Sequence, residues 1–537
     1  MRHHKLIGFA LLGVATLGGA SCSVDKFLDV NKTPNNPLTV PPSVLLTSTA
    51  IGTAFSNGNE ISRITSLLVQ HVAGVGTQSQ PQDRYNIRGG LDNQWQGEQY
   101  AGVLQNSQTL IETATRLNSP AYVGIAKLLK AYNFAMVTDL WGDIPYSEAL
   151  QGLNKLQPRF DKQEDIYKGN AALNIQSLDA LIKEALVDLD ATSTLRPSGS
   201  DDPVFAGDLA KWKRMGNTLR LKLANTISVK EPALARTIIN EVIAGNNFIS
   251  SNADDFQVAF GGAVGNRNPI GDFNGVNIVN PTTGAVTAST VLAGQRPADT
   301  FMSQRLLDSM AVRNDPRLPI FFNTVVGTTT SGTPPVTAPI AGVTTTTQGV
   351  FRAYQNGAIA VAPALPAGRS KYFTYLTGNS GEAPIRLLTN FQRLFIMAES
   401  ALVLGTSTGG AANVQALYRD AIRASMTKAG LTNAQVDAYF AANPRVANLS
   451  SNQTTALNQI MTQKWISWVG NGYEAYNDYR RTGFPRLVLA LNAEGDNPNV
   501  LPKRFVYPAS ELSGNANNAP IPSAVPNTTV PVWWDID

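Results

Sequence analysis

Apolar residues recur at helical spacing through two long blocks of this chain, 43–245 and 385–481, and lose that period in between. Recurrence at i, i+3, i+4 and i+7 places one apolar stripe on each helix, and such a stripe must be covered by a neighbouring element. One stripe is marked by Val103, Leu104, Leu110, Ile111, Ala114 and Leu117, on a helix over 95–117. Ser119-Pro120 reads as an N-cap with proline at the first helical position, opening a second helix through Ile125, Leu128, Leu129, Tyr132 and Ala135. Asp161 and Glu164 have the spacing of a capping box ahead of a third, which turns Leu178, Leu181, Ile182, Ala185 and Leu189 inward. Asp208 caps a fourth, with Trp212, Leu219, Leu223 and Ile227 on its inner face. Helical period returns at 385–404, 413–429 and 455–480. Amphipathic helices joined by short connections predict a mostly α scaffold of TPR-like helix pairs, although no sequence repeat of about 34 residues is present.

The stretch 246–384 differs in kind. Gly261-Gly262, Asn266 to Asn268, the run 271–277 and the Thr-rich tract 324–347 predict loops and short strands, with one helix near Thr300 to Met310. Long loops in a compact protein are usually functional or disordered, and this loop-rich insert with minor β content is open to either reading. The tail, 482–537, is loop-rich again and is expected to pack on the body.

The single cysteine, Cys22, stands behind a basic and apolar leader: Met1-Arg-His-His-Lys5, then Leu6 to Gly19, then Ala20-Ser21. A charged start, an apolar stretch of about 7–15 residues and small residues before a cut make an export signal, too short for a membrane-spanning helix. Residues 1–21 are therefore expected to be a lipoprotein signal peptide. Cys22 is the expected site of lipidation by palmitate-type acyl chains, although Gly19 stands where Leu is usual in such a motif. The Pro- and Asn-rich residues 22–42 read as an extended arm.

Composition removes whole chemistries. The formal charge is +4, of which Arg2 and Lys5 in the leader supply two, and charged residues make up only 15%. A near-neutral chain lacks the basic footprint that nucleic-acid binding requires. With Cys22 committed to lipid and His3 and His4 in the leader, His71 is the one imidazole left, so a zinc site cannot be assembled and no cofactor is expected; no metal site is assigned, since the acids at Asp254-Asp255 leave calcium open but lack the spacing of a calcium loop. A Ser-His-Asp triad would have to run through His71, which reads instead as a helix-end residue with a satisfied hydrogen bond.

Six segments in order carry a resemblance. They are Phe27-Leu-Asp-Val-Asn31; Ala131 to Leu150, which includes Asp139-Leu-Trp-Gly-Asp-Ile-Pro145; Asp161-Lys-Gln-Glu-Asp-Ile-Tyr167; and Gly207 to Trp212 running into Asn217-Thr-Leu-Arg-Leu221. The last two are Glu474 to Pro485, and Pro502 to Pro508 with Glu511. Together they resemble the SusD/RagB family of nutrient-binding outer-membrane lipoproteins of Bacteroidetes, over the full length after the leader. Read as residues, Trp141 is an apolar anchor, Gly142 permits a tight backbone, Asp143 accepts backbone N–H groups and Pro145 ends the element. Arg480-Arg481 places two cations at a helix C-terminus, able to hold carboxylates through paired donors. These motifs maintain a fold rather than mark a ligand.

The resemblance implies a non-catalytic, exterior-facing, lipid-anchored protein of the outer membrane. It would bind an oligosaccharide, as in starch and glycan utilisation, and act as the lid of a SusC-like TonB-dependent transporter barrel. A peptide-binding RagB-like lid is the second reading; a glycoside hydrolase using Asp139 and Asp143 is the third. Sugar faces stack on aromatic rings while hydroxyls take hydrogen bonds from polar side chains. The resemblance points to loops as the ligand surface: Arg84, Tyr85, Asn86 and Trp95 in or beside the first; Arg267, Phe273 and Asn274 in the second; and a third cluster of Tyr372 and Tyr375.

Overall fold

The computed structural model describes residues 40–535, apart from 280–285, 291–298, 325–350, 360–369, 519–527, the pairs 411–412 and 516–517, and positions 77, 88, 90 and 275. The leader, Cys22, the arm up to residue 39 and most of the Thr-rich tract lie outside the described residues.

The body, Pro42–Asp537, is mostly α. Gln105–Arg116, Pro120–Trp141, Leu178–Asp190, Leu209–Thr226 and Pro232–Gly245 each pack on the next, as paired apolar stripes require. Asn390–Leu404 lies on Leu209–Thr226 and carries Val414–Lys428 and Gln453–Ser467. Gly472–Thr482 returns to Ser62–Leu68, so the second helical block closes on the first. Gly470, at φ +97°, breaks the 455–480 stretch into two helices. Among the described residues no helix is long and apolar enough to cross a membrane.

The caps divide the sequence expectations. Asp208 accepts the Ala210 and Lys211 N–H groups at 2.9 and 3.1 Å and starts its helix as predicted. Asp161 caps nothing: it lies in a two-residue strand opposite Ile144, and its carboxylate accepts Ser147 N–H and Arg159 Nε. The helix bearing Leu178 is capped by Ser177, whose Oγ accepts Ala180 N–H at 3.1 Å. A capping box exists elsewhere, at Thr432 and Gln435. Thr300–Met302, expected to open a helix, is a strand; the helix is Gln304–Ala311, capped by Ser303.

The sheets are two-stranded and antiparallel, and two of them tie the loop-rich region to the body. Val72 pairs with Met302, and Phe256 with Leu388. The Asp139–Pro145 segment forms the buried corner its residues predict. Trp141 is fully buried and donates Nε1–H to Val506 O at 3.0 Å, Gly142 sits at φ +84°, and Asp143 accepts Gln163 N–H at 2.9 Å. The C-terminal segment is laid along this corner: Phe505 N–H reaches Leu140 O at 2.7 Å, and the Tyr507 hydroxyl donates to Asp143 O at 2.6 Å. Fully burying a side chain as large as Trp141 contributes about 1.5–3 kcal/mol or more.

Candidate functional site

The predicted loops converge on a short distortion in the first helical stretch. Between Pro42–Ser56 and Ser62–Leu68 the chain widens into the turn Asn57–Ile61, where Asn59 leaves helical geometry (φ −82°, ψ −133°). A Cβ on Gly58 would lie 2.6 Å from Ile385 Cδ1 and 3.2 Å from Pro269 Cγ, so a side chain here would have to displace both neighbours. Polar side chains fan out from the turn. Asn59 Nδ2 donates to Glu98 Oε1 at 2.7 Å, and Gln78 Nε2 donates to Glu60 Oε1 at 3.3 Å. Arg63 bridges Glu60 (2.5 Å) and Asp299 (3.1 Å). The 78–95 loop, residue 299 and the turn are thereby clasped together.

The second and third clusters form one unit. Asn268, fully buried, donates from Nδ2 to Leu376 O and Ala383 O (3.0 and 2.8 Å), and its N–H reaches Gly381 O at 2.7 Å. The Arg267 side chain crosses Gly381, where a Cβ would meet its own Cβ at 2.8 Å, and donates Nε–H to Gly262 O.

Three of the aromatic residues expected to stack on a ligand do not face solvent. Trp95 is 2% exposed, ringed by Tyr100, Trp141, Phe160 and Tyr507, and its Nε1–H donates to Glu511 at 3.1 Å. Tyr85 is 3% exposed; its hydroxyl accepts Ala490 N–H, and burial pushes it up to about 12. Tyr372, 4% exposed, packs on Phe322. These three faces are spent on the core. Tyr375 is half-buried with the Arg386 guanidinium 3.7 Å above its ring. Arg84 is half-buried and pairs with Glu494 and the Asn492 carbonyl, while Asn86 is exposed. Phe273 and Asn274 end the short helix Pro269–Asn274; their side chains lie outside the described residues. Sequence reasoning missed Asn59, Glu60, Arg63, Glu98 and Asp299. The only available signal was the polar run Asn57-Gly-Asn-Glu60 inside an otherwise apolar helical stretch.

Glu98 makes this cluster sensitive to pH. Burial pushes its carboxyl up to about 7, hydrogen bonds from Asn59, Ser56 and Gln94 offset part of the rise, and the charge of Glu60 adds to it. The folded pKa lies above the unfolded value of about 4.3, so the folded state binds the extra proton between the two. Stability contributed by that proton is therefore lost as pH rises through this window. Glu98→Gln keeps an acceptor for Asn59 and removes the titration, so stability measured from about pH 5 to 7 is expected to fall less steeply in the variant. Parallel curves for both proteins would refute this assignment.

Groups a hydrolase would use are occupied internally. Asp139, fully buried, accepts hydrogen bonds from Tyr167, Lys222, Tyr473, Asn477 and Trp534. It is a packing hub at the end of Pro120–Trp141. His71, fully buried at the end of its helix, sets Nε2 2.9 Å from Trp465 O, and burial pushes its pKa down to about 3. Among the described residues no cluster of His, Cys, Asp or Glu could hold a metal ion.

The chain belongs to the SusD-like family: the family model described as "Starch-binding associating with outer membrane" matches residues 34–508. Solved structures agree with the fold. A chitin-binding protein is 22% identical over 93% of this chain and 100% of its own, with a TM-score of 0.72. A SusD homolog from Bacteroides uniformis is 21% identical over 92% and 99%, with a TM-score of 0.70. A chitin-binding SusD homolog from Flavobacterium johnsoniae is 21% identical over 91% and 99%, with a TM-score of 0.68. No curated protein matches the chain.

Proposed function

We propose that this protein captures a neutral oligosaccharide at the outer membrane and hands it to a SusC-like TonB-dependent barrel, which it covers as a lid. The carrying observation is the family match over residues 34–508, whose description joins starch binding to the outer membrane. Two structural relatives described as chitin-binding support a glycan over a peptide. Capture is by fit alone, without a cofactor; the internal hydrogen bonds of Asp139 and His71 support this reading. The ligand surface we assign runs from Asn86 and Arg84 past the Asn57–Ile61 turn to Arg267, Phe273, Asn274 and Tyr375. Trp95, Tyr85 and Tyr372, being buried, are left out of it. Titration calorimetry with chitin and starch oligosaccharides, and with a peptide of equal length, tests the assignment. Saturable binding of an oligosaccharide only is expected. Binding of the peptide alone would establish the RagB-like reading instead, and new reducing ends would establish a hydrolase.

Lipidation at Cys22 anchors the protein facing outward in the same proposal; the basic and apolar leader supports the lipidation, and the family resemblance the outward face. Cys22→Ala is expected to move the protein to the soluble fraction with its melting temperature unchanged. Retention of that variant on membranes lacking the partner barrel would remove the anchor from the account.

A further inference from the structure

A cavity of about 390 Å³ opens in the second helical block, among residues that the candidate site does not use. Arg313 follows the Gln304–Ala311 helix, Tyr418 lies on Val414–Lys428, Arg445 on Pro444–Ala447, and Gln463 on Gln453–Ser467. That volume falls within the range of small-molecule sites, about 300–1,000 Å³.

The buried end of the cavity contains an amide whose orientation is fixed. Gln463 is 1% exposed, and its Oε1 accepts Arg317 Nη2–H at 2.8 Å. Arg317 is itself fully buried, donating to both oxygens of Asp315 and to the hydroxyls of Ser425 and Ser467. A guanidinium only donates, so the Gln463 oxygen must face it and the NH₂ group must point the other way. That nitrogen is buried and has no acceptor among the described residues. An unmatched buried donor is costly, and the Arg317 charge polarises this amide into a stronger one. Gln463 is one of the residues lining the cavity, so an acceptor bound there lies beside this donor.

The lining also fixes the sign of the acceptor. Arg313 and Arg445 bring two guanidinium groups, and none of the described residues lining the cavity is a carboxylate. Arg313 is steadied by Nη1–H bonds to Ser309 O and Oγ at 2.7 and 3.0 Å. Paired or clustered guanidinium donors are matched to carboxylate geometry.

We propose that this cavity is a second binding site, for a small organic carboxylate held by Arg313 and Arg445 and by the buried Gln463 N–H. A sugar acid and a simple organic acid share that chemistry, and the test separates them. Galacturonate, succinate and neutral galactose are titrated calorimetrically into the full chain. At least one of the two acids is expected to bind about ten-fold or more tightly than galactose, since a charge-assisted hydrogen bond is lost with the neutral sugar. Galacturonate alone would identify a sugar-acid site, and both acids a general carboxylate site. Gln463→Glu retains the acceptor that Arg317 needs but turns the free donor into an anion, and is expected to weaken the acid about ten-fold or more. Arg445 is exposed, so Arg445→Gln leaves the fold intact and is expected to weaken binding and flatten its salt dependence. No binding of either acid, equal binding of galactose, or titrations unchanged in both variants would overturn the proposal. Because Arg445 lies outside the loop surface, oligosaccharide binding by Arg445→Gln reads the proposed main function separately.

Discussion

In urea, Asp139→Ala is expected to lower the unfolding free energy by about 3–5 kcal/mol, the cost of breaking a buried charged network from one side. Asp139 is fully buried at the end of Pro120–Trp141 and gathers donors from four other parts of the chain. Tyr167 reaches Oδ1 at 2.6 Å and Trp534 Nε1 at 3.0 Å; Tyr473, Asn477 and Lys222 reach Oδ2 at 2.8, 2.9 and 3.3 Å. Alanine leaves all five without this acceptor, and Lys222 becomes a buried ammonium whose remaining acidic neighbour is Glu474 at 3.9 Å. Asp139→Asn is expected to be damaging too, because its NH₂ group would face donors where a carboxylate oxygen was. Asp190→Ala, which breaks only an exposed pair with Lys213, is the control and should change stability by less than about 1 kcal/mol. If Asp139→Ala unfolds at the same urea concentration as this control, the corner is not a structural hub.

That corner shows what the sequence made legible. Trp141, Gly142 and Pro145 could be read as a buried turn because each acts through its own size or backbone. Asp208 could be read as a cap because its partners lie two and three residues ahead. Asp161 and Glu164 had the same local spacing, yet Asp161 is drawn into a strand, and the nearby Gln163 N–H is taken by Asp143, twenty residues earlier. The five partners of Asp139 were illegible for the same reason at greater range: Trp534 lies 395 residues away.

The candidate site was legible only in outline. Loops at 78–95 and 266–277 were identified, and both reach the Asn57–Ile61 turn, the first through Gln78 on Glu60 and the second through Pro269–Asn274. Trp95 and Tyr85 resembled surface aromatics because Gly, Asn and Gln surround them in sequence. Their real neighbours come from elsewhere: Tyr507 against Trp95, and Ala490 on the Tyr85 hydroxyl. A polar local sequence cannot reveal that a distant tail covers a ring. The Asn59, Glu60 and Arg63 cluster was hidden in the opposite way, inside a stretch whose apolar period made it look like uninterrupted helix.

The same reasoning makes Arg481 the second strong test. Its guanidinium grips both oxygens of Glu399, with Nη2–Oε2 at 3.0 Å, and also reaches Asp478 at 2.8 Å. The two side chains of the main pair are 2% and 1% exposed. Burial opposes the charged form, but Glu399 and Asp478 outweigh it and hold the Arg481 pKa above its ordinary value. The pair joins Gly472–Thr482 to Asn390–Leu404, as does the hydrogen bond from Gln392 Nε2 to Glu474. Arg481→Met is expected to cost about 3–5 kcal/mol by leaving Glu399 charged and buried. Removing both charges should cost less than the two single changes together, because neither carboxylate nor guanidinium of the pair is then stranded. Arg481→Lys should sit between wild type and methionine, since an ammonium keeps the charge but cannot span two carboxylate oxygens in the plane of a guanidinium fork. A double-mutant cycle by urea unfolding gives the coupling directly. Additive single effects would mean that the pair contributes only its packing volume, and this helix would then be held by its apolar face and by its other polar contacts, among them Tyr473 and Asn477 on Asp139.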